Sequence, residues 1–507
     1  MEQAIRRIVI VGGGTAGWLA ACLIAARADR QALEITLIES PDIATIGVGE
    51  GTWPTMRRTL ERIGIAEVDF LRACDGAFKQ GSRFIGWRTG APDDAYDHPF
   101  TPPADSLRET VAAWQDQGGA FASAVSPQPH VCDRDLAPRQ RAMPDYAGAL
   151  NYAYHLDAVK LAALLSGHAT GKLGVRHIRD TVIGIDSAPN GDIAEVRTRA
   201  SGAIEGDLFI DCTGHASMLL GAHFGVPFVD RSNMLPNDSA LAVQVPVPPD
   251  SAIASRTHST AHSAGWIWDI GLPARRGIGC VYSSKHLNDD AAAETLRAYL
   301  RETAPFADAE AFAFRKLSFR SGHLERFWER NCLAIGLSAG FLEPLEASAI
   351  VLIELSLDAL LDNFPVTRGV MDIHARRFNE LFRYRWDRIV EFLKLHYVLS
   401  ERDEAYWRDH RATMPDRLAD LLAIWRHQPP SLADLPAVDE IFPAASYQYV
   451  LYGMGFPAPQ TGPLQSPVRP RAQVEQRART LAASLPTNRS YLDALRVAAP
   501  PPAQERS

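Results

Sequence analysis

The sequence predicts an α/β protein that opens with a strand, a glycine-rich turn, a helix and a second strand. Residues 8–11 read Ile-Val-Ile-Val, an apolar run typical of a buried strand. The glycines that follow have the GxGxxG spacing, at Gly12, Gly14 and Gly17. An apolar helix pattern runs from Trp18 to Ala26, and the strand Glu34–Ile38 ends in Glu39. This order of elements is typical of a dinucleotide-binding unit.

Each residue of that unit has a physical reason to be there. Gly12 lets the chain turn sharply, and Gly14 lets the backbone approach a pyrophosphate. Gly17 allows close packing of helix on strand, so the helix N-terminus faces the phosphate charge. Glu39 is placed to accept hydrogen bonds from ribose hydroxyls. The predicted dinucleotide contacts in this unit are Gly12, Gly14, Thr15, Ala16, Gly17 and Glu39.

The composition narrows the class of protein. The chain has 507 residues, a net charge of -8 and 22% charged residues, so we expect no nucleic-acid partner. Six cysteines form no CxxC pair, which predicts no zinc or iron–sulfur site. No signal peptide precedes the first strand, and no apolar run approaches the length that spans a bilayer. These features predict a cytoplasmic enzyme without a membrane partner, and they are compatible with a homodimer.

Two later segments resemble parts of the same cofactor domain. Residues 207–214 read as a buried strand ending in Asp-Cys-Thr-Gly, and Leu333–Gly336 reads as another short buried strand. Two-domain flavoproteins of the hydroxylase type spread one cofactor domain over three such segments, whereas simple NAD dehydrogenases keep it contiguous. FAD is therefore the predicted dinucleotide. The further predicted cofactor contacts are Gly49, Glu50, Asp211, Gly336 and Leu337.

The predicted fold is an α/β FAD-binding GxGxxG fold like that of the flavoprotein monooxygenases, with an added β-sheet region and a mainly helical C-terminal region. Residues 1–365 are predicted to form a discontinuous FAD module, with substrate-side insertions at about 91–150 and 221–330. Residues 366–507 are predicted to be a mainly helical substrate cap with a disordered tail. Within these units the patterns predict helices at Tyr154–Leu165 and Ser348–Leu361, mainly β structure at 240–282, and long loops at 91–150.

A series of motifs in a fixed order carries a family resemblance. They are Gly12 to Trp18, Gly47 to Pro54, Phe78 to Gly81, Tyr154 to Asp157, Asp211 to Gly214, Gly265 to Ile270 and Phe341 to Ile350. With them the chain resembles the flavin-dependent halogenases that act on tryptophan and other indoles. The resemblance spans about residues 5 to 365. The sequence Glu-Pro-Leu-Glu-Ala-Ser-Ala-Ile is similar to the bacterial branch that tends to accept free indole-type substrates.

The resemblance implies a reaction and two catalytic residues. Reduced FAD (FADH2), O2 and a halide ion, bromide or chloride, give hypohalous acid. Lys79 hydrogen-bonds this acid or is halogenated by it beside the substrate, a task for which a compact amine suits better than a guanidinium. Glu346 stabilises the cationic ring intermediate and accepts its proton. Taken alone, Lys79 would be a solvated surface residue and Glu346 a helix-start carboxylate.

Other residues receive roles through the same resemblance. Trp266 and Trp268, which point the same way on a strand, would keep organic substrate away from the flavin. Ile270 is followed here by Gly-Leu before proline, so the local turn departs from the family pattern. Backbone N–H groups of Ser348 and Ala349 would bind the halide at a helix start. Because Ala349 stands where many members have glycine, we expect bromide to be preferred over chloride.

The substrate site is predicted from aromatic residues. His98 and Phe100 match a family segment that stacks the indole ring. The far wall is predicted to come from the region of Tyr449 and Phe456, with Tyr447 and Tyr452 as alternatives. No equivalent is evident of the Tyr-Tyr and Glu set that grips the amino-acid group of tryptophan. We therefore expect an indole-type small molecule rather than free tryptophan as substrate.

Two other functions fit parts of the sequence. A FAD-dependent aromatic monooxygenase would share the fold, but it would need an open path from flavin to substrate, which the tryptophan pair opposes. A non-catalytic FAD- or indole-binding protein would explain the glycine motif but not Lys79 and Glu346. The sequence shows no flavin-reductase module, so a separate NAD(P)H-dependent flavin reductase is the predicted partner.

Overall fold

The computed structural model describes residues 4–497, except for 44–48, 104–110, 112–113, 116–117, 438–439 and 460–470. Gly47 and Val48 of the predicted glycine-rich motif lie outside the described residues, and so does the tail after Val497 that was predicted to be disordered.

A six-stranded sheet joins the three segments that were predicted to share one cofactor domain. Strand Arg7–Val11 pairs in parallel with Glu34–Glu39 on one side and Leu208–Asp211 on the other. The order across the sheet is Trp328–Glu329, Cys332–Ala334, Leu208–Asp211, Arg7–Val11, Glu34–Glu39 and Arg176–Arg179. Helix Thr15–Arg27 packs against helices Ala158–Gly171 and Ser348–Asp362. The α/β fold and the spread of this sheet over distant segments are thereby confirmed.

A seven-stranded, mostly antiparallel sheet forms the added β region. Its strands in order are Arg315–Ser318, Ser239–Pro246, Arg275–Tyr282, Gly265–Gly271, Thr257–His262, Gly81–Ile85 and Ala95–Pro99. Helix Asp289–Thr303 covers one face with Leu296 and Leu300. The strand that carries the tryptophan pair runs on to Gly271, and the Leu272 N–H donates to the Arg275 carbonyl across the turn, 2.9 Å. This contact closes the hairpin between strands Gly265–Gly271 and Arg275–Tyr282.

Three small sheets connect the larger ones. They are Gly49–Gly51 with Ala153–Asp157 and Ala77–Lys79, Val182–Ser187 with Ile193–Thr198 and Ala203–Glu205, and Phe228–Asp230 with Gly322–Leu324 and Gly340–Phe341. The predicted helix at Tyr154–Leu165 was wrong at its start, because Tyr154 to Asp157 forms the central strand of the first small sheet. Asp157 then caps helix Ala158–Gly171, its carboxylate accepting from the N–H groups of Val159 and Lys160.

The predicted long loops at 91–150 contain regular structure. The strand Ala95–Pro99 pairs with Gly81–Ile85. Its alternate residues Tyr96 and His98 are buried, as expected for a strand with one face toward the interior. Two short helices follow, Phe121–Val125 and Gln128–Cys132. This segment therefore delivers buried side chains to the site.

Helices dominate the chain after Val366. They are Arg368–Val398, Ala405–Arg411, Asp416–Trp425, Ala444–Gly453, Arg471–Ser484 and Asn488–Val497. Two further helices, Thr55–Ile63 and Glu67–Ala73, lie in the first part of the chain. Within the described ranges, no helix combines the length and apolarity needed to cross a bilayer.

All six cysteines are buried and unpaired. Burial raises the pKa of the Cys22 thiol to about 12, and it also raises the pKa of Cys212. These two residues are therefore inert core thiols, as their apolar surroundings in the sequence indicate.

Candidate active site

One cavity of about 600 Å³ runs from the glycine-rich turn to the two predicted catalytic residues. Gly12 to Ala16 and Glu39 line one part of it, beside the ends of the parallel strands. Lys79 and Glu346 line another part, and Trp266 and Trp268 also contribute to the wall. The cofactor region and the catalytic pair therefore share a continuous space.

The glycine-rich turn has the shape that a pyrophosphate requires. Gly12 has a φ of 115°, and a Cβ placed on it would lie 2.1 Å from the Cys212 carbonyl oxygen. A Cβ on Gly17 would lie 1.8 Å from the Gly12 carbonyl oxygen. A Cβ on Gly14, by contrast, would meet no atom within 4 Å. Packing fixes the turn at two glycines and leaves the third open to a ligand, so the residues present fit a dinucleotide phosphate.

The remaining predicted FAD contacts surround the same cavity. Thr15, Ala16, Glu39, Gly49, Glu50, Gly336 and Leu337 all line it. The Glu39 side chain packs over Gly13, where a Cβ would lie 2.2 Å from the carboxyl carbon. Gly336 has a φ of 74°, and a Cβ there would lie 2.8 Å from that of Ala16. These contacts place backbone against the space where the flavin would lie.

Asp211 does not fit the role predicted for it. Its side chain is fully buried, and its carboxylate accepts from the N–H groups of Leu219 and Leu220 at 2.8 and 2.9 Å. It also accepts from the hydroxyl and the N–H of Thr213 at 2.6 and 3.0 Å. With both oxygens engaged inside the fold, Asp211 shapes the turn, whereas Cys212, Thr213 and Gly214 line the cavity.

Lys79 is buried, with 2% of its surface exposed, so the interpretation as a solvated surface residue was wrong. It ends the strand Ala77–Lys79, and a Cβ on Gly51 would lie 3.0 Å from its Nζ. Burial lowers the pKa of Lys79 to about 8, although the charges of Glu346 and Glu50 oppose this change. The amine therefore titrates near neutral pH inside the cavity, where it can be either a donor or a nucleophile.

Glu50 shares the cavity with Lys79. Burial raises the pKa of the Glu50 carboxyl to about 7, and the charge of Lys79 opposes that rise. Two buried groups of opposite charge, with pKa values near neutrality, therefore line the same cavity as Glu346.

Glu346 lies in a strained turn directly before helix Ser348–Asp362. It has a φ of 63°, and Ala347 follows with a φ of 55°, so two consecutive non-glycine residues are left-handed. Backbone strain of this kind persists where the surroundings enforce it, often at functional sites. The Glu346 side chain at this turn is buried.

Two histidines hold the Glu346 carboxylate. Its Oε1 lies 2.7 Å from Nδ1 of His98 and 3.2 Å from Nε2 of His396. Burial acts to raise the pKa of Glu346, but the charges and hydrogen bonds of the two histidines outweigh it and hold the pKa well below its ordinary value. Nδ1 of His396 faces the Phe392 carbonyl at 3.0 Å. Both nitrogens of His396 therefore face oxygen atoms, which fixes the orientation of the ring beside Glu346.

His98 was predicted to stack on the indole ring, but in the structure its side chain contacts the Glu346 carboxylate. Its Nε2 lies 2.9 Å from Oγ of Ser446, so both ring nitrogens are engaged. His396 was missed by the sequence analysis, since it comes 50 residues after Glu346 on the long helix. No local motif marks it, because its role depends on the packing of that helix against the turn.

Phe100 and Tyr449 lie close to residues of the catalytic region, whereas Phe456 packs against the core. The ring of Phe100 lies 5.3 Å from Nζ of Lys79. Tyr449 is buried, its hydroxyl donates to the Thr101 carbonyl at 2.9 Å, and its ring lies 6.0 Å from His98. Phe456 packs at the edge of the core. Among the described residues, these three and His98 do not line the cavity, so their predicted substrate contacts stay predictions.

The tryptophan pair is fixed by its neighbours. The rings of Trp266 and Trp268 lie 6.4 Å apart at a steep angle, and both are buried. Trp266 donates its Nε1–H to Oε2 of Glu343 at 3.2 Å, and Tyr397 donates to the same oxygen at 2.9 Å. Asn237 donates to it as well. Burial raises the pKa of Glu343, which these donors oppose.

Ser348 and Ala349 begin the helix Ser348–Asp362 and line the cavity. The first N–H groups of a helix have no partner within it, and they favour an anion. Among the described residues, no three His, Cys, Asp or Glu side chains are placed so that they could hold a metal ion.

Fold and cavity together define a flavin-binding oxidoreductase. The tryptophan halogenase family matches residues 7–469 of the chain. The crystal structure of a tryptophan halogenase from Shewanella frigidimarina is 47% identical, with a TM-score of 0.93 and 98% of each chain covered. The tryptophan 6-halogenase of Streptomyces toxytricini is 34% identical over 96% of this chain and 98% of its own. A flavin-dependent halogenase from Brevundimonas sp. BAL3 is 31% identical, with a TM-score of 0.83 and coverage of 97% and 99%. The chain belongs to the tryptophan halogenase family and is a flavin-dependent halogenase.

Proposed function

We propose that the enzyme halogenates a free indole-type aromatic, with Lys79 as the residue that positions the halogen and Glu346 as the residue that accepts the proton. The observation that carries this proposal is the single cavity that joins the glycine-rich turn to both side chains. The residues of that turn would hold FADH2, which would supply hypohalous acid from O2 and a halide ion. The residues of the chain then guide this small oxidant to the ring.

Lys79 is suited to hold the oxidant. Its pKa of about 8 allows protonated and neutral amine to coexist near neutral pH. The protonated form donates hydrogen bonds to hypohalous acid. The neutral form attacks the halogen, so that an N–halogen bond forms as the O–halogen bond breaks, and the amine proton leaves with the hydroxide as water. Burial also keeps bulk water from competing for the oxidant.

Glu346 is suited to the step after halogen transfer, in which the ring loses a proton. Attack of the ring on the halogen gives a cationic intermediate that must lose a proton. The carboxylate is kept ionised by His98 and His396, so it stabilises that charge and then accepts the proton. The two histidines hold one of its oxygens, which fixes the direction of the carboxylate.

The cavity wall supports separation of the two chemical steps. Trp266 and Trp268 line the wall of the cavity, and two such large rings would keep an aromatic substrate away from the flavin. The helix start at Ser348 and Ala349 supplies N–H donors for the halide, and the methyl group of Ala349 favours bromide over chloride through its larger radius and weaker hydration. The family assignment favours halogenation over the monooxygenase and binding-protein alternatives.

The substrate and partners follow from the same residues. No clear equivalent is found in the sequence of the Tyr-Tyr and Glu set that would hold an amino-acid group, which supports indole or a larger indole compound. Reduced flavin would come from a separate NAD(P)H-dependent reductase. A homodimer and a cytoplasmic location stay predictions from the sequence.

A reconstituted assay tests this function. Purified protein is incubated with FAD, a separate flavin reductase, NADH, indole and bromide, and the products are identified by mass spectrometry. Free methionine is included to consume any hypohalous acid that reaches solution. We expect brominated indole from the natural chain and none from Lys79→Ala, which should still bind FAD. Hydroxylated indole, or normal bromination by Lys79→Ala, would contradict the proposal. Lys160→Ala, an exposed lysine paired with Asp75, is the matched control and should brominate normally.

A further inference from the structure

Gly51 lies where the catalytic amine and the turn of Glu346 come together. It lines the cavity, as do Lys79 and Ala347. A Cβ placed on Gly51 would lie 3.0 Å from Nζ of Lys79 and 3.5 Å from the Cβ of Ala347. The absence of a side chain at position 51 therefore leaves room directly beside the amine.

Strand pairing fixes this arrangement. The strands Gly49–Gly51 and Ala77–Lys79 pair with opposite edges of Ala153–Asp157. Neighbouring strands lie about 4.8 Å apart, so the Lys79 side chain reaches across the central strand to Gly51. Because both residues are held by backbone pairing, only the flexible end of the lysine side chain can yield to a group placed between them.

The room beside the amine matters when the amine carries the halogen. In the proposed function an N–halogen bond forms at Nζ of Lys79 as the O–halogen bond of hypohalous acid breaks, and the amine proton leaves with the hydroxide as water. The amine then holds one additional heavy atom. Bromine is larger than chlorine and is similar in volume to a methyl group, so bromine depends more on the room beside Nζ.

We infer that Gly51 is a specificity-determining residue that admits bromine at the Lys79 amine, because it places no side chain against Nζ. This inference rests on the proposed function, since it concerns the amine that carries the halogen in that site. It is separate from the effect expected of Ala349, which concerns the halide ion before oxidation.

Gly51→Ala tests the inference by adding one methyl group. Position 51 lies in a strand, and the end of Lys79 has to move by only a few tenths of an ångström, so we expect the variant to fold. The reconstituted assay with free methionine is run with bromide and chloride at equal concentrations, and mass spectrometry gives the ratio of brominated to chlorinated indole. That ratio should fall at least about fivefold in Gly51→Ala.

Gly167→Ala is the matched control, because a Cβ at Gly167 would meet no atom within 4 Å. It should keep the ratio of the natural enzyme.

A second measurement reports the room at the amine without flavin or halide. Formaldehyde and cyanoborohydride methylate lysine amines, and mass spectrometry of peptides distinguishes one methyl group from two. The share of dimethylated Lys79 should fall several-fold in Gly51→Ala, whereas that of the exposed Lys160 should not change.

The outcomes separate this inference from the proposed function. A lower ratio together with less dimethylation of Lys79 supports the inference. An unchanged or higher ratio in Gly51→Ala, or unchanged dimethylation of Lys79, overturns it while halogenation itself stands. If Gly51→Ala halogenates indole with neither halide, the methylation result alone decides. If the natural enzyme halogenates indole with neither halide, the proposed function fails, and the inference fails with it.

Discussion

Replacing Lys79 by methionine should abolish halogenation and make the protein more stable. The pKa of Lys79 is lowered from its ordinary 10.5 to about 8, chiefly by burial. At about 1.36 kcal/mol for each pH unit, the protonated amine costs about 3 kcal/mol in the folded state relative to the unfolded chain. Methionine has a similar length and no charge to bury, so it removes this cost.

The gain in stability from Lys79→Met should become smaller as the pH rises. Between about pH 8 and 10.5 the unfolded chain binds the proton of Lys79 more tightly than the folded protein does, so stability from this residue rises with pH. Below pH 8 the cost is present in full, and above about pH 10.5 it vanishes. Lys79→Met should therefore gain most at pH 7 and nothing near pH 10.5.

Thermal unfolding of the natural protein and of Lys79→Met at several pH values measures this effect. With an unfolding entropy of about 2 cal/mol/K per residue, about 3 kcal/mol corresponds to a rise in Tm of about 3 °C for a chain of this size. Lys160→Met, at an exposed lysine, should change the unfolding free energy by less than about 0.5 kcal/mol. A Tm for Lys79→Met at or below that of the natural protein at pH 7, or a gain that persists at pH 10.5, would refute the reasoning.

Three further predictions concern the reaction. Glu346→Gln should lower turnover by at least about 100-fold, because the amide accepts no proton, while FAD and halide binding survive; turnover at the natural rate would place the proton acceptor elsewhere. In a competition at equal concentrations, bromide should enter the product in preference to chloride because of Ala349, and mainly chlorinated product would refute this. Glu343→Leu removes the acceptor of the Trp266 N–H, so the share of flavin oxidation that yields halogenated product should fall several-fold; an unchanged share would show that Trp266 does not need this anchor.

The sequence was informative where the site is built from contiguous residues. The strand, turn and helix from Arg7 to Arg27 follow from an apolar run and three glycines, and their geometry depends on nearby backbone. The helix at Ser348–Asp362 was likewise visible as a strong apolar pattern. Such features depend on the local spacing of apolar residues and on the positions of glycines, and both can be read directly from the sequence.

Other features depend on distant packing and could not be derived from local pattern. Lys79 lies among residues typical of a surface turn, yet pairing of its strand with Ala153 buries it. His396 reaches Glu346 only because a 31-residue helix crosses the turn. The apolar spacing of Tyr154 to Leu165 fits a helix, but the first residues fill a place between two strands. In each case, contacts between distant segments decided the outcome over local preference.

Competition with a scavenger tests most directly whether the oxidant travels inside the protein from the cofactor region to Lys79. Brominated indole is measured for the natural enzyme in the presence of increasing free methionine, which consumes any hypohalous acid that reaches solution. Because the cavity joins the two regions, the yield of brominated indole should not depend on methionine, whereas Lys79→Ala should oxidise methionine instead. A yield from the natural enzyme that falls in proportion to the added methionine would contradict the account.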